Sequence, residues 1–106
     1  MLFELRQYQA LPGKRDELVK IMEEDVIPFQ VGHGMVIVGS FTGEENDNLY
    51  VWIRRFDDEA QRETQYEAVY QSDFWRNEVS PKISEVLDRE SINVTRMNPT
   101  PLSVLK

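Results

Sequence analysis

Apolar and polar residues alternate along residues 2–10, with Phe3, Leu5, Gln7 and Gln9 on one face of an extended chain and Glu4, Arg6 and Tyr8 on the other. Pro12-Gly13 ends this strand. From Lys14 the period lengthens: Leu18, Ile21, Met22, Val26 and Phe29 recur at three- and four-residue steps and form one apolar stripe, while Lys14, Arg15, Glu17, Lys20, Glu23 and Glu24 make a solvated face. Pro28 lacks the amide hydrogen a helix interior needs, so the helix is predicted to end near Ile27 or to kink toward Gly32. Gly32-His33-Gly34 then turns the chain. Residues 35–42 and 49–56 are two strongly apolar runs joined by the polar loop 43–48, the pattern of a hairpin, and Gly39 within the first run points to a bulge or a close backbone approach. A second helix starts at Asp57 or Asp58, where Gln61 three residues after Asp58 completes a capping box, and runs to Tyr70 with Tyr66, Val69 and Tyr70 inward. Trp75, Val79, Ile83, Val86 and Leu87 continue a helical period that restarts at Ser80-Pro81. Residues 91–97 are the last strand.

The order strand, helix, strand, strand, helix, strand is that of an α+β ferredoxin-like sandwich with a four-stranded antiparallel sheet. One domain, residues 1–98, is expected, followed by a proline-broken tail, 99–106, that is either loose or wrapped on a neighbour. In an isolated sandwich of this kind one sheet face meets water and should be polar. Here Leu49, Val51 and Ile53 oppose Tyr50, Trp52 and Phe56 across one strand, and Met35, Ile37 and Phe41 oppose Val36 and Val38 across another. Both faces need cover. The simplest cover is a second copy, two sheets face to face as a dimeric α+β barrel, so a homodimer is expected.

Charge narrows the partners. Asp and Glu outnumber Lys and Arg 19 to 12, a net charge of −7, which argues against a nucleic-acid role because phosphate contacts need clustered cations. No cysteine is present, which removes disulfides, thiolate metal sites and a cysteine nucleophile. No apolar segment approaches bilayer length, so no membrane role is expected and a cytoplasmic location is the default.

Several local segments together resemble the NIPSNAP family: Glu4-Leu5-Arg6-Gln7-Tyr8 followed by Pro12-Gly13; Gly39-Ser40-Phe41; Trp52-Ile53-Arg54; and Ala68-Val69-Tyr70-Gln71-Ser72-Asp73-Phe74-Trp75. The resemblance spans almost the whole chain and implies a dimeric α+β barrel, the fold of antibiotic-biosynthesis monooxygenases and of EthD-like and Dabb-type proteins. It implies no established reaction.

The ligand-binding candidates lie on the strands. Arg6, Tyr8, Trp52 and Arg54 can share a face, with Arg96 beside them if the register allows. A guanidinium between aromatic walls binds a carboxylate or enolate oxygen of an aromatic ligand; the competing reading is that these arginines pair with Glu4 or with acids of a second copy. His33 is the only histidine and the natural general-base candidate, yet it sits between glycines in a turn where a solvated imidazole is expected. Glu44, Glu45 and Asp47 lack the spacing of a calcium loop and read as a hairpin tip, so no metal is expected. Tyr70, Phe74 and Trp75 read as a packing cluster or a lid. No phosphate loop, nucleophile elbow or Ser-His-Asp pattern is present, and no cofactor is expected. Two functions follow: a pocket for a small apolar or aromatic molecule, with cofactor-independent oxygenase-like chemistry as its enzymatic form, or a non-enzymatic homodimeric protein-interaction module.

Overall fold

Antiparallel pairing brings the first strand, β1 (Leu2–Ala10), to the centre of the sheet in the computed structural model, which describes all 106 residues. The other strands are β2 (Val36–Thr42), β3 (Leu49–Phe56) and β4 (Leu87–Met97), and the order across the sheet is β2-β3-β1-β4. Three helical segments cover one face: α1 (residues 15–32), α2 (Glu59–Tyr70) and α3 (residues 74–84). This is the ferredoxin-like α+β fold.

Neither internal proline breaks its helix. In α1 the residues Met22–Val26 form a wide π turn before Pro28, and in α3 the residues Phe74–Val79 do the same before Pro81. A proline ring clashes with the carbonyl four residues earlier, here Glu24 and Asn77, and both of these lie inside the widened turns. Widening moves the obstructing carbonyl, so α1 takes the second of the two courses the sequence left open and continues to Gly32, and α3 runs through Ser80 without a fresh start.

Pairing partners share a sheet face. Glu4 lies opposite Arg54 and Arg6 opposite Trp52, so Glu4, Arg6, Tyr8, Tyr50, Trp52, Arg54 and Phe56 all face the helices. In β2 the register shifts between Ile37 and Gly39. The extra residue of this bulge carries Phe41 to the outer face opposite Val51, so Phe41 does not share a face with Ile37 as simple alternation predicts. A Cβ on Gly39 would stand 2.4 Å from the Phe41 ring, the close approach that a glycine permits.

β4 begins at Leu87, earlier than the sequence pattern suggests, because residues between Asp88 and Asn93 loop out opposite the two-residue advance of β1 from Gln7 to Gln9. The Gln9 amide, left without a ladder partner, donates to Ser91 Oγ at 2.8 Å.

Apolar side chains between sheet and helices fall into two buried clusters. The larger includes Tyr8, Leu18, Met22, Trp52, Val79 and Ile83; the smaller is Leu2, Met35, Phe56 and Val69. On the outer face Leu5, Val51 and Ile53 are half-buried and Val36 and Phe41 exposed, while the tail residues Pro99, Ser103 and Leu105 lie beside Phe3 and Ile53 at one end. No helix is long and apolar enough to cross a membrane.

Candidate ligand-binding site

A buried ionic network runs through the interior between sheet and helices. Glu4 and Arg54, opposite each other on β1 and β3, are both fully buried, and Arg54 donates to Glu4 Oε1 from Nη2 at 2.6 Å and from Nε at 3.2 Å. Its Nη1 donates to Gln30 Oε1 at 3.0 Å and to Tyr70 Oη at 2.8 Å. The guanidinium also lies over the Trp52 and Tyr66 rings, 4.7 and 4.9 Å from their centroids. Arg62 reaches in from α2 to donate to Glu4 Oε2 at 2.6 Å, and Tyr66 Oη lies 2.7 and 2.8 Å from the two carboxylate oxygens. Burial pushes the Glu4 carboxyl upward, but the charge of Arg54 and the hydrogen bonds from Arg62, Tyr66 and Arg54 outweigh it and hold it below its ordinary value. Burial pushes the Tyr66 phenol up to about 12 against the opposing pull of Arg54 and Arg6.

Arg6 is placed differently. Nε donates to Tyr8 Oη at 2.9 Å and Nη1 to Tyr66 Oη at 3.2 Å, both neutral oxygens. The Glu4 carboxylate stands 3.8 Å away, beyond hydrogen-bond reach and already engaged by Arg54 and Arg62. Arg6 is therefore a largely buried cation without a hydrogen-bonded counter-charge, and it borders a cavity of about 210 Å³.

Sheet and helices each supply part of the cavity wall. Tyr8 and Trp52 form its floor with Arg6; Met22 and Val26 come from the π turn of α1, Trp75 from that of α3, and Tyr70 from the end of α2. Trp75 meets Tyr70 edge-on, with ring centroids 4.8 Å apart. Both widened turns thus present side chains to the cavity, a frequent association of π turns with sites. Trp52 Nε1 is buried without a hydrogen-bond partner. Burial raises the Tyr8 phenol above its ordinary value although Arg6 opposes it, so Tyr8 stays protonated at neutral pH.

Arg6, Tyr8 and Trp52 come together here. Arg54 lies outside the cavity lining, beside Trp52 and paired with Glu4 in the ionic network; Arg96 faces the same side but pairs with Glu59 at the surface. His33 is exposed, its ring against Phe29 and away from the cavity. No group of His, Cys, Asp or Glu side chains that could hold a metal comes together.

A family model described as NIPSNAP matches residues 3–103. The chain belongs to the NIPSNAP family. Among solved structures, this NIPSNAP protein is similar to a protein from Agrobacterium tumefaciens with a TM-score of 0.90, 25% identity and full coverage of both chains. It also resembles an uncharacterized NIPSNAP domain protein from Burkholderia xenovorans, with a TM-score of 0.85, 22% identity, and 97% and 98% of the two chains covered. A crystal structure of an antibiotic biosynthesis monooxygenase shares the fold at a TM-score of 0.70 and 16% identity, over 95% of this chain and 100% of that one. No curated protein matches the chain by sequence.

Proposed function

We propose that this NIPSNAP protein is a homodimer that binds a small aromatic acid in the cavity between sheet and helices. The observation that carries the reading is Arg6, a largely buried guanidinium at the cavity wall whose hydrogen bonds go only to phenol oxygens. A carboxylate in the cavity would supply, through charge-assisted hydrogen bonds, the directly bonded counter-charge that Glu4 at 3.8 Å does not. Size limits the ligand: a cavity of about 150 Å³ is enough to bind benzene, so 210 Å³ takes one ring with a small substituent. Tyr8, Trp52, Tyr70 and Trp75 offer that ring aromatic contacts. The wall carries no carboxylate or imidazole to act as a base, and Tyr8 is held protonated, which supports binding ahead of oxygenase-like chemistry. A cavity between sheet and helices also favours a ligand over a filled, purely structural interior, the arrangement an interaction module would need.

Dimerisation is supported by the outer sheet face, where Val36 and Phe41 are 44% and 54% exposed beside Val51 and Ile53. Calorimetric titration with benzoate and with neutral benzamide tests the binding reading. Benzoate is expected to bind the tighter, and Arg6→Gln to remove that preference with a loss of about ten- to a hundredfold, the worth of a hydrogen bond to a charged group. Absence of saturable benzoate binding, or an unchanged preference in Arg6→Gln, refutes it.

A further inference from the structure

Resting on the reading above that the cavity binds an aromatic acid, we infer that its ligand carries a second acidic group at the end of the ring opposite Arg6, and that Arg89 receives it. Arg89 lies in the looped-out segment of β4, and irregularities of this kind re-aim side chains beside sites. Although exposed, it forms part of the cavity rim. Three hydrogen bonds hold its guanidinium there: Nη2 donates to Ser80 O and Ser80 Oγ, each at 2.9 Å, and Nε to Ser84 Oγ at 2.9 Å. All three acceptors are neutral, none of the ion pairs in this acidic chain involves Arg89, and its Nη1 has no partner.

The cavity therefore has two cations, one inside and one at the rim, each anchored by neutral groups. A one-ring diacid is the smallest aromatic ligand that presents an acid to each. Arg6 pairs with Val94 across the sheet, whereas Asp88, the neighbour of Arg89, pairs with Gln9 three positions along β1. At about 3.3 Å per residue the two register positions are about 10 Å apart. Both guanidinium groups border one cavity, so a single ring with an acid at each end can give each a counter-charge. Because Arg89 is already immobilised, engaging the second acid costs little side-chain freedom.

The test compares terephthalate with 4-carbamoylbenzoate, which has the same shape but a neutral amide in place of the second acid, on wild type, Arg89→Gln and Arg89→Lys. Terephthalate is expected to bind the wild type about fivefold more tightly, the upper range for an exposed charge pair. Arg89→Gln should erase that difference and Arg89→Lys retain part of it, with circular dichroism confirming that both variants fold. Equal affinities in the wild type, or a preference that survives Arg89→Gln, overturn the role of Arg89. If benzoate still binds and depends on Arg6, the one-acid site stands without it; if no aromatic acid binds at all, both readings fail together.

Discussion

Replacing Arg54 with Met removes the charge that holds the buried Glu4 carboxylate while filling most of the space. The loss can be worked from the contacts. Two hydrogen bonds to Glu4 disappear, Gln30 Oε1 and the Tyr70 hydroxyl lose a donor, and the Trp52 and Tyr66 rings lose their cation. Glu4 keeps Arg62 and Tyr66, so its charge is only partly stranded. Breaking one side of a buried pair costs about 3–5 kcal/mol, which is a large share of the roughly 5–15 kcal/mol that stabilises a domain. The deficit should be greatest at neutral pH and shrink on acidification, because protonating Glu4 removes the stranded charge. Combining Arg54→Met with Glu4→Gln should recover about 1–3 kcal/mol relative to additivity, since Arg6 and Arg62 both have some contact with water while Arg54 has none. Urea unfolding of wild type, both single variants and the double variant at several pH values measures each quantity. A loss below about 1 kcal/mol for Arg54→Met, or strict additivity in the double variant, would refute the argument.

Asp58→Ala should cost about 1 kcal/mol in thermal or urea unfolding, because Asp58 Oδ1 accepts from the Gln61 amide at 2.8 Å at the start of α2. Ile53→Asp, on the outer sheet face, should yield a folded but monomeric protein in analytical ultracentrifugation; a wild type that sediments as a monomer at micromolar concentration would sink the dimer. Tyr50 and Tyr66 are both raised to about 12, so ultraviolet titration should show them ionising well after an exposed tyrosine would. The stability these raised phenols contribute is complete below the ordinary tyrosine pKa of about 10. It is lost as pH rises toward 12, and simultaneous titration of all tyrosines near the ordinary value would contradict the burial argument.

The strands and helices were legible because each carries a period that only one backbone geometry satisfies. Alternation along β1 places Glu4, Arg6 and Tyr8 together, and the β3 pattern adds Trp52 and Arg54, so the sheet side of the cavity is readable from residues alone. The helix side was less so. Under the α-helical rule Pro28 signals an end or a kink and Ser80-Pro81 a fresh start, and nothing in the local pattern announces that a wide turn can absorb both prolines. Those same turns carry Met22, Val26 and Trp75 to the cavity. Gln30, Tyr66 and Arg62 were hidden as network partners for another reason: their pairing with residues of β1 and β3 depends on how the helices dock. Two signals were available in principle, the odd polar Gln30 near the apolar stripe of α1, and Arg62 one turn before Tyr66. Arg89 could not be placed because the irregular pairing of β4 reverses simple alternation there.

The chain contains two tryptophans, Trp52 and Trp75, and both line the cavity, so two indole N–H signals in a nitrogen–proton correlation spectrum report directly on it. Titrating benzoate into the labelled protein tests the central claim. Saturable movement of both signals is expected, with the response lost in Arg6→Gln. Indole signals that stay in place at saturating benzoate, or that move identically in Arg6→Gln, would contradict the assignment of this cavity as an aromatic-acid site.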